Sequence, residues 1–335
     1  MSLRPAHHRP GGGFQNPDPA GRPRARGELV RWFRERERTR RERPDPPPSV
    51  FPRATPTFGQ ATRSGDLAVT WLGHSSAVLE FQGLTALTDP ILTTYASPIP
   101  MPRLGRWVPA PVEVAGLPEI HLVLVSHNHY DHLDAPTVKA LARRFPDATW
   151  CTPLENGALL RRLGATRVHE MDWWDDMELA GGARVTCTPA QHFSARGLHD
   201  RDRALWGGFH LRVGRRAAWF AGDSGYFPGF REIGARLGPP DLLLVPTGAY
   251  DPRWFMRPVH MDPEEGVQAA RDVAGDTTPR MVPVHWGTFK LTDEPMDEPP
   301  RRTREAWRAA GLPDDRLWLL QHGETRLLAG DGAGS

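Results

Sequence analysis

Short apolar runs separated by turn residues follow one another along most of the chain. Residues 120–125 are almost entirely apolar and rich in β-branched side chains, which is typical of a strand buried on both faces. The runs at 67–72, 76–81 and 84–88 are separated by glycine-containing turns and predict three consecutive strands. The pattern therefore predicts at least four strands before the middle of the chain.

Helical spacing appears between these runs. Asp134 followed by Pro136 predicts a helix start, and apolar residues then recur at helical spacing as far as Phe145. Asp262, followed by Pro263 and by Glu265 three positions on, is a second clear start. Further predicted elements are helices at 27–43, 154–163 and 300–310 and strands at 149–151 and 317–320.

Three histidines and one aspartate fall within six residues, directly after the apolar run at 120–125. Imidazole and carboxylate groups are suitable ligands for zinc, iron or manganese, and packing four of them together without a cation would be costly. A loop this short can hardly wrap all four groups around one ion. We therefore predict two ions about 3.5–4 Å apart, with further ligands elsewhere in the chain. The cluster consists of His127, His129, Asp131 and His132.

Three later strand-like runs each end at a further candidate ligand. Any one of these residues could be structural or merely exposed, but together they supply what the cluster lacks. The runs and ligands are 184–191 with His192, 217–222 with Asp223, and 281–284 with His285.

Two more polar residues stand at predicted strand ends. Asp89 could orient a ligand imidazole, as buried carboxylates commonly do, or could cap a turn beside Pro90. His74 could face the pocket or be structural.

The histidine cluster resembles the hallmark of the metallo-β-lactamase superfamily. The longer phrase from Leu124 to Asp134 more closely resembles the N-acylphosphatidylethanolamine-hydrolysing phospholipase D branch. This resemblance covers roughly residues 67–328 and implies an α/β fold, namely an αββα sandwich of two mixed sheets with helices outside. Further phrases similar to the branch are at 14–17, 171–174, 205–208, 220–226, 248–256, 260–265 and 285–289.

The resemblance also implies roles for the candidate residues. One ion is expected on His127, His129 and His192, and the second on Asp131, His132 and His285, with Asp223 bridging. Two zinc ions are expected, with iron or manganese left open; together they would lower the pKa of a bound water. Asp131 or Asp223 could accept its proton, and the sequence does not choose. His260 is expected to bind substrate or handle a proton, the alternative being an exposed loop histidine. Supporting or substrate-contacting roles are expected for Asp89, His74 and Tyr250.

The implied function is a phosphodiesterase of phospholipase D type that cleaves N-acylphosphatidylethanolamine or a related lipid or small-molecule phosphodiester. Alternatives are a lactonase, a β-lactamase-like or other hydrolase, and a non-catalytic metal-binding protein. A nuclease is disfavoured because nucleic-acid binding needs a basic surface. Residues 1–60 hold 13 arginines against six acidic residues, whereas the rest of the chain has a net charge of −5.

The basic, proline-rich residues 1–57 are expected to form an arm before a hydrolase domain at 58–329 and a loose tail at 330–335. Residues 1–26 are expected to be poorly ordered. The helix at 27–43 could lie on an anionic membrane through Leu29, Val30, Trp32 and Phe33, or pack on its own protein. Two isolated cysteines and no membrane-length apolar run suit a cytoplasmic protein. Peripheral contact with the inner membrane face and a homo-oligomer are left open.

Overall fold

The computed structural model describes residues 5–17 and 26–330. Its strands are β1 (Leu67–Gly73), β2 (Ser76–Phe81), β3 (Leu84–Thr88), β4 (Leu122–Leu124), β5 (Thr149–Pro153), β6 (Arg167–Met171), β7 (Asp176–Glu178), β8 (Arg184–Thr188), β9 (Gly208–Val213), β10 (Arg216–Phe220), β11 (Leu242–Pro246), β12 (Met281–Val284) and β13 (Thr325–Leu328). Its helices are α1 (Arg26–Glu42), α2 (Ala135–Arg144), α3 (Gly157–Arg162), α4 (Gly229–Leu237), α5 (Arg253–Met256), α6 (Pro263–Ala274) and α7 (Glu298–Ala309).

The strands form two mixed sheets. The first has the order β13–β1–β2–β3–β4–β5–β6, and the second has the order β12–β11–β10–β9–β8–β7. Strands β3 to β6 are parallel, as are β10, β11 and β12, while the remaining neighbours are antiparallel. The predicted meander β1–β2–β3 is present at the expected positions.

The apolar faces of the two sheets pack against each other, and helices cover their outer faces. Trp71 and Leu124 from the first sheet share one buried cluster with Phe209 and Leu244 from the second. Helices α2 and α3 cover the first sheet, and α4, α6 and α7 cover the second. This is the αββα sandwich that the family resemblance implied, and that expectation is confirmed. Both predicted helix starts are present, because Asp134 and Asp262 each accept a bond from the first turn.

Two predicted elements differ from the structure. Residues 317–320 are not a strand: Trp318 N donates to Met281 O, but only the isolated bridge at Leu317 forms there. Trp318 and Leu320 of this run instead pack in the core between the sheets. The last strand is β13, which pairs with β1. The helix predicted at 154–163 begins only at Gly157, because Leu154 N still donates to Met171 O.

The N-terminal part of the chain lies against the two-sheet body. We expected residues 1–26 to be poorly ordered, but within 5–17 Phe14 is buried and its N–H donates to Asp202 O over 2.8 Å. Helix α1 packs through Trp32, whose Nε1 donates to Asp293 Oδ2 over 2.7 Å. In the part of the chain that the structure describes, no helix is long and apolar enough to cross a membrane. The predicted loose tail lies outside the described residues except for Gly330.

Candidate metal centre

The sheet topology brings the candidate ligands to one edge of the sandwich. Strands β8, β10 and β12 run in the same direction, so the residues that follow them lie along one edge of the second sheet. In the first sheet β1, β3 and β4 likewise share one direction. Their carboxyl ends lead to His74, to Asp89 and to the histidine cluster at 127–132.

Three imidazoles form the first half of the centre. His127 Nε2 lies 2.8 Å from His129 Nδ1, and His192 Nε2 lies 3.3 Å from the same atom. Nitrogen ligands with bonds of about 2.0–2.1 Å to one tetrahedral ion would be about 3.4 Å apart. The three nitrogen atoms are therefore spaced closely enough to share one ion.

A carboxylate and two imidazoles form the second half. Asp131 Oδ2 lies 3.3 Å from His132 Nε2 and 3.5 Å from His285 Nε2. The same oxygen is 2.9 Å from His74 Nε2. His74 therefore holds Asp131 in place or stands near enough to ligate an ion itself.

Asp223 lies between the two halves. Its Oδ2 is 3.1 Å from the Nε2 atoms of His132 and His285, and 3.8 Å from Nε2 of His192. Its Oδ1 is buried and has no hydrogen-bond partner within residues 5–17 and 26–330. A buried carboxylate oxygen without a partner is costly unless a cation or water satisfies it. The donor set and this oxygen both fit a pair of transition-metal ions.

The two halves differ in electrostatics. Burial lowers the pKa of His129 to about 4, and burial with neighbouring imidazoles holds the pKa values of His127 and His192 well below normal. Burial acts in the same direction on His132 and His285. There the charges of Asp223 and Asp131 outweigh it, raising the pKa of His285 to about 9 and that of His132 well above normal.

The carboxylates show the opposite balance. Burial alone would raise the pKa of Asp131 and of Asp223, but the neighbouring His132 and His285 hold both well below the usual range. Both acids are therefore ionised near neutral pH.

Hydrogen bonds behind the imidazoles fix which nitrogen faces the centre. Asp89 accepts from Ser126 N over 2.6 Å and from Ser126 Oγ over 2.5 Å, and lies 2.6 Å from His132 Nδ1. Ser126 Oγ is in turn 2.8 Å from His127 Nδ1, and His192 Nδ1 donates to Val259 O over 2.9 Å. With Nδ1–H donating outward, Nε2 is the nitrogen that faces the centre, and it can bind an ion when the ring is neutral.

The backbone at this edge adopts a conformation that is uncommon outside glycine. His74, Asp89 and His285 have φ values of 53°, 30° and 65°. Such residues store strain and persist only where the surrounding structure holds them. All three directly follow a strand or lie within a few residues of its end, which places their side chains at the centre.

Of the remaining predicted residues, His260 is brought to the centre and Tyr250 is not. The His260 ring lies 5.0 Å from that of His192 and 5.4 Å from that of His285, centroid to centroid. The Tyr250 hydroxyl instead donates to Glu298 Oε1 on α7 over 2.7 Å. Burial and the nearby acids Glu294 and Glu298 raise the pKa of Tyr250.

Ser126 and Arg196 support the ligand loop but were not among the predicted site residues. The Arg196 guanidinium donates to Asn128 O over 2.9 Å and to Leu133 O over 2.8 Å, so it joins the two ends of the ligand loop. Ser126 could have been suggested by its place directly before His127. Arg196 carries no such signal, because its partners are backbone carbonyls more than 60 residues away.

A cavity of about 810 Å³ lies between residues 6–17 and the body, and it reaches His192. This volume is in the range of pockets that hold small organic ligands. Its walls are largely apolar and aromatic, and they also carry arginines and the acidic side chains of Asp202 and Glu232. They include Trp173, Trp174, Phe193, Phe227, Arg9 and Arg201.

The chain is similar to several known proteins. A family model described as "Beta-lactamase superfamily domain" matches residues 85–286. An uncharacterized protein of Mycobacterium tuberculosis is 41% identical over 298 residues, covering 87% of this chain and 77% of the relative. The N-acyl-phosphatidylethanolamine-hydrolyzing phospholipase D 1 of Caenorhabditis elegans is 35% identical over 269 residues, covering 77% and 75%.

Solved structures support the fold. Igni18, a metallo hydrolase from Ignicoccus hospitalis, matches with a TM-score of 0.60 and 23% identity, covering 79% of this chain and 99% of its own. An isothiocyanate hydrolase from Delia radicum gut bacteria matches with a TM-score of 0.60 and 21% identity, covering 78% and 99%. At these identities the similarity shows the shared architecture alone.

Proposed function

The chain belongs to the β-lactamase superfamily, and on that premise we propose that it is a dinuclear metal-dependent hydrolase acting on a lipid phosphodiester. The substrate class is N-acylphosphatidylethanolamine or a close relative, cleaved as by a phospholipase D to an alcohol and a phosphomonoester. The observation that carries the proposal is the place of Asp223, whose Oδ2 contacts ligand atoms of both halves of the centre.

In this proposal His127, His129 and His192 hold one ion, and Asp131, His132 and His285 hold the other. Two such ions, when bound, supply a nucleophile at neutral pH and offset negative charge on the scissile phosphate. Zinc suits the imidazole-rich donor set best. Asp89 and Ser126 support this arrangement by orienting His132 and His127.

The chain's own groups handle the protons. The Asp131 side chain is 15% exposed and that of Asp223 is 2% exposed, so Asp131 is the carboxylate that reaches the open side. We assign Asp131 as the acceptor of the attacking water's proton. His260, beside ligands of both halves, is assigned to hold a proton for the leaving alcohol.

The cavity beside His192 supports a lipid rather than a small polar substrate. Trp173, Phe193 and Phe227 offer apolar surface for an acyl chain, whereas the charge of Arg9 is compensated by Asp202. The relation to the C. elegans phospholipase D points to the same substrate class.

An activity panel tests the proposal. Zinc-loaded protein is assayed on bis-p-nitrophenyl phosphate, N-acylphosphatidylethanolamine, a lactone and nitrocefin, with Asp223→Ala as the background control. We expect hydrolysis of the two phosphodiesters, with the lipid preferred. Turnover of the lactone or nitrocefin alone would instead assign one of the other hydrolase activities.

We further propose that helix α1 makes peripheral contact with an anionic membrane. Leu29, Val30 and Phe33 are 46%, 51% and 50% exposed, although Trp32 packs on the body. Arg31 stacks over the ring of Trp254, which is itself 38% exposed, so a basic group and a partly exposed aromatic ring lie next to the helix. Such a surface suits an anionic bilayer, where each basic residue contributes about 1 kcal/mol.

Vesicle co-sedimentation tests this contact. A variant with Leu29, Val30 and Phe33 replaced by glutamine keeps Trp32 and should bind anionic vesicles less than wild type, while turning over bis-p-nitrophenyl phosphate normally. Leu198→Gln, at a site 95% exposed elsewhere on the surface, is the matched control. Equal sedimentation of all three proteins would reject the membrane role.

A further inference from the structure

We define residues 5–17 as the N-terminal segment. One of its side chains bonds both the backbone N–H and the backbone C=O of a candidate metal ligand. Asn16 Nδ2 donates to His192 O over 2.8 Å, and Asn16 Oδ1 accepts from His192 N over 2.9 Å. The same oxygen accepts from Trp206 Nε1 over 3.1 Å. A single amide thus satisfies the donor and the acceptor of His192, as a neighbouring strand would.

The N-terminal segment is itself fastened at several points. His7 Nε2 lies 2.6 Å from Asp172 Oδ1, and His8 Nε2 lies 2.7 Å from Asp172 Oδ2. Arg9 pairs with Asp202 over 2.8 Å. With Phe14 buried beside these contacts, Asn16 is carried on a segment held in place and not on a free arm.

His192 has two constraints, one on its ring and one on its backbone. The ring is set by the bond from Nδ1 to Val259 O, which comes from the body. The residue follows β8 outside any strand, so its N–H and C=O are not held by a sheet ladder. Asn16 supplies that missing constraint.

We propose that Asn16 is a positioning residue for the candidate metal centre and that the N-terminal segment is therefore part of that centre. The inference rests on the proposed dinuclear site. Residues that hold metal ligands from behind typically change metal affinity or activity by about 10–100-fold when replaced. We expect a change of this size for the ion on His127, His129 and His192, and little change for its neighbour.

The inference also alters what a truncation should do. From the sequence alone, removal of residues 1–57 would be expected to spare turnover of a soluble phosphodiester. With Asn16 bonded to His192, the truncated protein should instead lose metal affinity along with that turnover.

Two substitutions test the inference with a matched control. Asn16→Asp keeps the acceptor for His192 N but places an oxygen against His192 O, and Asn16→Ala removes both contacts. Gln15→Ala removes an amide that donates to Ala6 O within the same segment. Zinc affinity is measured by competition titration, and coordination geometry by the visible absorption spectrum of the cobalt-substituted protein.

Thermal unfolding with and without zinc distinguishes a positioning role of Asn16 from a merely structural one. If Asn16 positions His192, both variants should reduce the rise in Tm that zinc produces, because weaker binding gives less stabilisation of the folded state. If Asn16 only holds the segment down, Tm falls equally in both conditions.

We expect about 10–100-fold weaker binding of one zinc ion and an altered cobalt spectrum in Asn16→Asp and Asn16→Ala, with Gln15→Ala like wild type. Wild-type affinity and spectrum in Asn16→Asp would overturn this inference alone. Wild-type protein that binds no metal would overturn the proposed function together with it.

Discussion

The two halves of the candidate centre lie within a few ångströms of each other, yet they are built differently. His127, His129 and His192 are neutral imidazoles whose pKa values are lowered by burial. Around His132 and His285, ionised carboxylates raise the imidazole pKa values, so charge is already compensated there without an ion. The difference indicates that the second half is also an ion-pair network of the fold, whereas the first half has no carboxylate assigned to it alone.

Removing the carboxylate common to both halves should have the largest effect. Asp223→Ala is expected to lose both ions and nearly all activity, because Oδ2 contacts ligand atoms of each half. Elemental analysis of purified protein measures the loss. The control is Asp66→Ala, which replaces a buried aspartate directly before β1, at the end of that strand away from the centre. Two retained ions in Asp223→Ala, or at most one ion in active wild type, would contradict the bridging arrangement.

His260 packs on one histidine from each half and is assigned as a ligand in neither, so its replacement separates catalysis from metal binding. His260→Ala should keep both ions and reduce kcat by about 10²–10⁴-fold, the usual contribution of a proton-transfer group. Steady-state kinetics and metal content are measured on the same preparation. Loss of an ion would make His260 a ligand, and unchanged kinetics would leave it a packing neighbour of His192 and His285 with no part in proton transfer.

The halves should also differ in metal-free stability. His132→Ala removes one partner from a buried charge network with Asp89, Asp131 and Asp223, which typically costs about 3–5 kcal/mol. His129→Ala removes a neutral imidazole and should cost about 1 kcal/mol, as an ordinary substitution does. Urea unfolding in the presence of a chelator measures both. Equal losses would remove the distinction between the halves.

The smallest expected effect falls on one half only. Asp89→Asn weakens the hydrogen bond to His132 Nδ1 and should reduce affinity for the ion held by His132 by about 10–100-fold. A stepwise zinc titration should show one weakened and one unchanged site. Two equally weakened sites would show that Ser126, which bonds Asp89 and His127, couples the halves.

The sequence was sufficient for the parts of the centre that local patterns carry. Apolar runs ending in His192, Asp223 or His285 predicted where ligands leave the sheets, and the structure places them at one edge. The meander and the capped helices follow from equally local rules, since turn residues and Asp-Pro starts act over a few positions.

What the sequence could not provide depends on pairing across the chain. The run at 317–320 has the composition of a strand, but its pairing is limited to the isolated bridge between Leu317 and Met281 of β12. Arg196 and Asn16 bond backbone atoms of distant residues. Because every residue has a backbone carbonyl, the sequence does not indicate which one a distant side chain will bond. Tyr250 lies in a phrase typical of the phospholipase D branch, yet its hydroxyl is bonded to Glu298.

The bond between Asn16 and His192 also sets an order of events during synthesis. The two residues are 176 positions apart, so at about 5–20 residues per second Asn16 is made roughly 10–35 seconds before its partner. His127 and His129 are complete well before His192, and His285, the last of the proposed ligands, comes later still. An ion taken up early would meet only part of its ligand set. Loading of the complete candidate centre is therefore expected after translation of the body, whereas the N-terminal segment can be fixed in place once Asp172, His192 and Asp202 have been made.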